Sequence, residues 1–524
     1  VPHRLVTPGR DVKERATAAL ADAQLQRAMQ NLEIRLNTAR NVQLRSPELK
    51  DRAAAIRREV LGNLEPLLDQ LQTSLEANGA VVHRCETPED ARRVVLDLAQ
   101  REGVRRVVKS KSMVTEEIDL ADALAEQGID ALETDLGEYI VQLAGERPSH
   151  IITPVIHKTL GQIADVMSEE AGEALSAERQ ELTAWARSRL RPRFAAADMG
   201  ITGANFAVAE TGTIVLVTNE GNGRYCTSLP RIQVAVMGVE KVLPRFEDLA
   251  TMLPVLTRSA TGQSLTNYVA MLTGPRRPGE TDGPEQLHVV FLDHNRRSLL
   301  GTPYEDMLSC IRCGACLNVC PVYRKISGHA YDSVYPGPMG KILTPLLSAG
   351  ESGRDLPGAS TLCGACTEAC PVEIPLADLL VRLRADLRNP GSPAAGARRE
   401  VQAKTVAVSG DDRPGSPGEH DRLPGEGYET LAGAAPLPAT DAARRRSARQ
   451  AGFDLWARVW STPGGYRSST TAARWGSVLV GGRDGWLRRA PGLEGWTSSR
   501  DLPAPARRSF RDRWTARVEG RETW

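Results

Sequence analysis

The chain is poor in aromatic residues, 4% of 524, so any core it builds is mostly aliphatic. It has no charge excess either. Lys and Arg number 66 against 65 Asp and Glu, a formal net charge of +1, which gives no reason to expect nucleic acid as the main partner. No apolar run reaches the roughly 18 residues of a transmembrane helix, and Val1–Arg10 holds no apolar stretch of the signal-peptide kind. The expected location is therefore cytoplasmic, with any membrane contact peripheral, at the inner face, or made through another subunit. Several chemical signatures are missing too. No G-x-G-x-x-G lies between a strand and a helix, so no dinucleotide fingerprint is visible. Gly337-Pro338-Met339-Gly340-Lys341 is not a P-loop. H-E-x-x-H and C-x-x-C-H do not occur, which removes zinc-protease and c-type haem readings. No flavin motif is visible, and the sequence by itself implies no flavin.

What is concentrated is cysteine. Of nine cysteines, seven lie between Cys310 and Cys370. A secreted disulfide scaffold would be short and would spread them; this clustering reads as metal binding in a reducing compartment. Cys310-x2-Cys313-x2-Cys316-x3-Cys320-Pro321 is the bacterial-ferredoxin run, in which the fourth Cys ligates the other cluster. Ser360-x2-Cys363-x2-Cys366-x3-Cys370-Pro371 repeats it with Ser at the first position. By the exchange rule, one cluster takes Cys310, Cys313, Cys316 and Cys370, and a second takes Cys320, Cys363 and Cys366. The second is expected to be 3Fe-4S, or 4Fe-4S completed by Ser360 or water, or completed by a group from elsewhere. Softness favours thiolate over hydroxyl. Zinc on Cys-x2-Cys pairs is the competing reading; seven thiols and two x3-Cys-Pro endings weigh against it. Cys85 and Cys226 fall outside both runs, and the plain reading is buried, inert thiols, less firmly for Cys226 beside a polar loop.

At 524 residues the length suggests three or four domains. Residues 1–75 read as a helical leader, with apolar residues at helical spacing through Ile56, Val60, Leu64 and Leu67. Residues 76–298 read as an α/β domain with a largely parallel sheet. Its strands are expected at Ala80–His83, Arg106–Lys109, His150–Thr153, Arg231–Met237 and Leu287–Leu292, and a hairpin turns through Glu210-Thr211-Gly212. Residues 299–388 form the helical, cysteine-rich module. Residues 389–440, rich in Pro and Gly, read as a flexible linker. Residues 441–524 form a basic, Trp-rich region with 17 Arg, 8 acidic residues and seven of the eight Trp. It is a docking, lipid-contacting or solvated tail.

Open α/β sheets place ligands at the carboxyl ends of their strands. Three polar loops follow expected strands there. They are Lys109-Ser110-Lys111-Ser112, Glu133 to Tyr139, and Thr218-Asn219-Glu220-Gly221-Asn222-Gly223-Arg224. Lys109, Lys111, Glu138, Asn219, Glu220, Asn222 and Arg224 therefore make a candidate ligand pocket, against the bland reading of solvated turns. No residue is an evident catalytic group.

The strings Lys109 to Ile118, Glu133 to Glu138, Ala197 to Asn205 and Thr218 to Asn222, followed by Ile311-Arg312-Cys313-Gly314-Ala315-Cys316 and Leu362-Cys363-Gly364-Ala365-Cys366, resemble the lactate utilization protein B family. The resemblance spans roughly residues 10 to 385. Two features depart from it: Gln233 where His is expected, and a tail beyond about 390 that matches poorly except near Trp496–Pro503 and Ser509–Arg511. The resemblance implies a Rossmann-like LUD domain, of the ribose-5-phosphate isomerase and CoA-transferase kind, joined to a helical two-cluster ferredoxin domain. It implies an iron–sulfur electron-transfer subunit in a complex oxidising L-lactate to pyruvate, with a cysteine-rich-repeat companion and a LUD-only companion. Two alternatives stay in view: a catalytic subunit that itself binds lactate, and an iron–sulfur redox sensor.

Overall fold

In this computed structural model the described residues are 11–30, 47–266, 268–388 and 455–480, with a few isolated short pieces beyond. The chain forms two compact units, residues 1–410 and 411–524.

The first unit is built around a six-stranded, all-parallel sheet. Its strands are β1 (Val81–Cys85), β2 (Arg106–Lys109), β3 (Asp130–Glu133), β4 (Met199–Thr202), β7 (Ile232–Gly238) and β10 (Gln286–Leu292), in the order β1-β10-β7-β4-β2-β3. Strand order reverses around β4, so the carboxyl ends of β2, β3 and β4 open onto a shared crevice. The central strand β7 alternates faces. Ile232, Val234 and Val236 pack with helix Pro88–Arg101, and Ala235 and Met237 pack on the opposite side with helix Leu64–Ala77. Helix Pro88–Arg101 starts where Thr87 and Asp90 cap each other and Pro88 supplies a fixed φ.

A second, mixed sheet of four strands has the order β8-β5-β6-β9, with β5 (Phe206–Val208), β6 (Thr213–Thr218), β8 (Val242–Leu243) and β9 (Tyr268–Leu272). β5 and β6 are antiparallel, as the Glu210-Thr211-Gly212 turn requires. One expected strand is absent. His150–Thr153 is irregular, because the His150 ring Nδ1 accepts from Ile152 N at 2.9 Å and Thr153 N at 3.2 Å. Ser149 N also donates to Pro154 O at 3.0 Å. Those three amides are spent locally, between Pro148 and Pro154, and are lost to a ladder.

The leader is helical, with α-helices at Val12–Ala21, Pro47–Gly62 and Leu64–Ala77, but it does not stand apart. Arg15 donates to Ala330 O at 2.9 Å. Arg57, 2% exposed, donates to Val242 O at 3.2 Å, Glu240 O at 2.5 Å and Leu308 O at 3.0 Å. One guanidinium thereby joins the leader, the α/β region and the cysteine-rich region. The cysteine-rich region is helical, with Ala315–Val319, Gly337–Leu347, Ala365–Ala369 and Leu376–Asp386 packed around Leu317, Leu343, Leu347 and Leu380.

The linker expected over 389–440 lies outside the described residues. In the second unit, a helix spans Pro463–Val480, Trp456 and Trp460 have ring centroids 5.2 Å apart, and Trp486–Leu487 pairs antiparallel with Leu502–Pro503.

Candidate iron–sulfur and ligand-binding site

The two cysteine runs fold into near copies of one loop. Arg312 and Gly314 flank Cys313 with φ of 59° and 77°, and Leu362 and Gly364 flank Cys363 with φ of 56° and 81°. Left-handed residues on either side of the middle cysteine curl the backbone so that neighbouring thiols face inward. A short helix then begins at Ala315 in one and Ala365 in the other, and each run ends in an extended Cys before Pro.

The loops exchange their last cysteines. Cys370 lies within electrostatic reach of Cys310, Cys313 and Cys316, and Cys320 lies beside Cys366, which in turn neighbours Cys363. Burial, and then repulsion between neighbours, raises the thiols of Cys313, Cys316 and Cys366. Burial pushes Cys370 up to about 12. Cys363 is exposed, and hydrogen bonds from Thr361 and the Ala365 amide hold it below the ordinary thiol range. Bare thiolates so close together and so buried are unfavourable; a polycationic iron core is what would let them ionise. The soft, all-sulfur donor set suits such a core. Donors already aim at sulfur: Tyr323 N to Cys320 Sγ at 3.4 Å, Ile374 N to Cys370 Sγ at 3.3 Å and Lys341 Nζ to Cys320 Sγ at 3.8 Å. The Ser360 hydroxyl accepts from Leu362 N at 3.2 Å.

A buried charge network surrounds the first loop. Arg296 and Glu240 are both 0% exposed and meet at 2.8 Å. Glu240 also meets Arg312 at 3.1 Å, and Arg296 meets Glu117 at 2.7 Å. Tyr335 donates to Glu117, and His294 Nδ1 lies 2.6 Å from it. Burial pushes Glu117 up, but Arg296 and His294 outweigh it and leave the carboxyl below its ordinary range. Arg57, Lys241 and Arg312 all lie within electrostatic reach of Cys310, with the Glu240 carboxylate among them. The sequence reading missed Glu117, Glu240 and Arg296, since nothing in their local strings marks them as partners.

The candidate ligand pocket divides in two. Lys111, Asn219, Glu220 and Asn222 line a cavity of about 820 Å³ that also takes in Lys241, Arg312 and Tyr335. Lys109 and Glu138 line a separate cavity of about 310 Å³ with Glu116 and Glu133. There the Lys109 ammonium lies 2.7 Å from Glu133. Burial raises Glu116 and pushes Glu133 up to about 8, with repulsion from Glu138 adding to both, so Glu133 holds its proton at neutral pH. Arg224 is exposed on the helix Asn222–Ser228 and lines neither cavity. Gln233 is fully buried, donates to Thr202 Oγ1 at 2.9 Å and lines neither. Cys85 and Cys226 are buried thiols, pushed by burial up to about 11 and about 12.

The larger cavity is polar but unsatisfied. Lys111 Nζ, Thr153 Oγ1 and Asn222 Oδ1 are all buried without a hydrogen-bond partner, each a cost of about 1–3 kcal/mol. Lys111 sits close enough to His150 to help burial depress that imidazole to about 3.

Fold and site together define a class: an α/β domain fused to an iron–sulfur module. The comparisons agree. Residues 68–292 match the LUD domain, 306–374 the 4Fe-4S dicluster domain and 429–519 the Lactate utilisation protein B C-terminal family. The last match covers the tail that the sequence reading found mostly unlike the family. The chain is 40% identical over 510 residues to Lactate utilization protein B of Shouchella clausii, covering 96% of each. It is 41% identical to the protein of that name from Oceanobacillus iheyensis, covering 89% of this chain and 87% of that one. It is 45% identical to the Uncharacterized electron transport protein YkgF of Escherichia coli, covering 77% and 86%. The chain belongs to the lactate utilization protein B family. Among the described residues no helix is long and apolar enough to cross a membrane.

Proposed function

We propose that this protein is the iron–sulfur electron-transfer subunit of a complex that oxidises L-lactate to pyruvate, supporting growth on lactate. One observation carries the reading: seven cysteines fall into two neighbouring groups by exchange of Cys320 and Cys370. Its relatives' names, lactate utilization in two and electron transport in a third, support the same reading. Cys310, Cys313, Cys316 and Cys370 would hold one 4Fe-4S cluster, and Cys320, Cys363 and Cys366 a second, its fourth position left to Ser360, water or an outside group. When bound, such clusters supply one-electron transfer at potentials set by charge, hydrogen bonds and exposure.

The chain's own residues set those terms. Arg57, Lys241 and Arg312 place positive charge beside Cys310, and Lys341 beside Cys320. The first group is enclosed, whereas Cys363 and Leu362 are exposed, so the second group faces partners. The companions proposed are a cysteine-rich-repeat subunit and a LUD-only subunit, in the cytoplasm or at the inner membrane face. The working division is a leader to residue 75, a Rossmann-like LUD domain over 76–298, the cluster domain over 299–388, a linker over 389–440 and a basic tail over 441–524.

The test is EPR with iron and sulfide analysis on anaerobically purified protein, before and after lactate and then dithionite. Two signals that appear only with dithionite support a relay. Cys370→Ser should abolish the same signal as Cys310→Ser, and Cys320→Ser the same signal as Cys366→Ser; the opposite grouping would overturn the ligand assignment. The buried Lys111 ammonium, which makes no hydrogen bond, favours a second reading, in which this chain binds lactate itself; reduction by lactate alone would establish it.

A further inference from the structure

The 820 Å³ cavity is far larger than a three-carbon acid requires and lies in the size range of cofactor sites. Its lining has two characters. Lys111, Lys241 and Arg312 bring positive charge to it, with Asp135 and Glu220 also in the lining and within reach of Lys111, and Met113, Ile152 and Leu216 give it an apolar wall. Three of its buried polar atoms, Lys111 Nζ, Thr153 Oγ1 and Asn222 Oδ1, make no hydrogen bond, and Asn222 is only 7% exposed. Together these features describe a site for an anion that carries a flat apolar ring and polar substituents.

The cavity also abuts the cysteine loop. Arg312, in its lining, immediately precedes Cys313. A Cβ placed on Gly314 would lie 3.2 Å from Ile152 Cγ1 and 3.3 Å from Ile151 Cγ1, so the apolar wall is in van der Waals contact with the turn that carries Cys313 and Cys316. A molecule in this cavity is one side-chain layer from the first thiol group.

Chemistry supplies the remaining constraint. Oxidising a 2-hydroxy acid to a 2-oxo acid breaks the Cα–H and O–H bonds and releases two electrons and two protons. Iron–sulfur groups accept electrons singly. A carrier able to hold the pair is needed between them. We propose, resting on the electron-transfer reading above, that the cavity binds a phosphorylated isoalloxazine cofactor of the flavin mononucleotide class. Its phosphate meets Lys111, Lys241 and Arg312, and its ring lies along the Ile151–Ile152 wall. The ring takes two electrons and one proton as a hydride equivalent from the Cα–H bond of the 2-hydroxy acid, and the hydroxyl proton goes to solvent or a neighbouring base. The reduced ring then returns the electrons one at a time toward the thiol-held iron and releases its proton.

The test uses full-length protein, anaerobically reconstituted with iron and sulfide and then titrated with flavin mononucleotide while flavin fluorescence is followed. Riboflavin, which has the ring without the phosphate, is the control. Saturable quenching is expected, with riboflavin weaker by about tenfold or more for loss of charge-assisted contacts. Lys111→Met should weaken flavin mononucleotide by a similar factor and leave riboflavin unchanged, while the iron content stays at the parent level. No quenching, or equal binding of both flavins to parent and variant, would overturn the proposal. A melting shift with lactate and none with flavin would overturn it in favour of a substrate site. Failure of the electron-transfer reading is a separate result: absent iron–sulfur EPR signals in protein that still quenches flavin.

Discussion

Consider replacing Glu240 by Gln. The residue is wholly buried, 2.8 Å from Arg296 Nε and 3.1 Å from Arg312 Nη2. Glutamine keeps the shape and removes the charge. Arg296 retains Glu117, but Arg312 loses its carboxylate, and Arg57 and Lys241 lose the anion that offsets them. Breaking a buried ion pair from one side costs about 3–5 kcal/mol. The carboxylate remaining on Arg296 places this case near the lower end, a fall in Tm of roughly 3–5 °C for a unit of this size. Calorimetry on anaerobically prepared protein measures it. Adding Arg312→Met should recover part of the loss, because the guanidinium left without its partner is then gone. A fall below about 2 °C, or two losses that simply add, would falsify the account of this network as a coupled unit.

Lys341 is fully buried, 3.8 Å from Cys320 Sγ. Lys341→Met should lower the potential of the second centre by roughly 60 mV, a factor of ten in its reduction equilibrium, as read by EPR-monitored potentiometry; an unmoved potential sinks the idea. Burial holds His150 at about 3 and His329 at about 4, so both are neutral in the folded chain and take up protons readily only when unfolded. Their own contribution should be constant above about pH 7 and decline as pH falls through 6.5 toward 4, by up to about 1.4 kcal/mol per pH unit for each histidine, while Glu133, held up to about 8 in the folded chain, contributes the opposite slope. Urea titrations of the parent and of His150→Gln at a series of pH values isolate the histidine part as a difference between the two curves, and a difference that does not change between pH 7 and 5 would contradict it. At Gly328 an added Cβ would lie 1.8 Å from the Ser149 carbonyl oxygen, whereas at Gly358 it would meet nothing within 4 Å. Gly328→Ala should therefore destabilise by several kcal/mol, with Gly358→Ala near neutral; equal melting temperatures would refute the contact.

Spacing made the cysteine module legible, because two-residue gaps and the Cys-Pro endings are local. The strand ends were legible for a similar reason: apolar runs such as Ile232–Gly238 stop at polar loops. Three kinds of feature were not. His150–Thr153 looks like a strand by composition, yet a ring nitrogen two residues away captures its amides. Lys109 and Lys111 look equivalent in sequence, but Glu133, 24 positions from Lys109, draws that ammonium into the smaller cavity. The Glu117–Arg296–Glu240–Arg312 chain spans residues so far apart that no local string announces it.

The leader's attachment has a consequence for biosynthesis. Arg15 finds its acceptor 315 positions downstream, and Arg57 finds Leu308 O 251 positions downstream. Both cationic side chains leave the ribosome long before their acceptors exist. The leader residues are thus among the last to settle, a high-contact-order closure that delays folding until the first cysteine run has emerged. A LUD fragment that ends before residue 308 would carry Arg57 with one of its three acceptors missing, and cutting the leader would open the cysteine module from the far end of the chain.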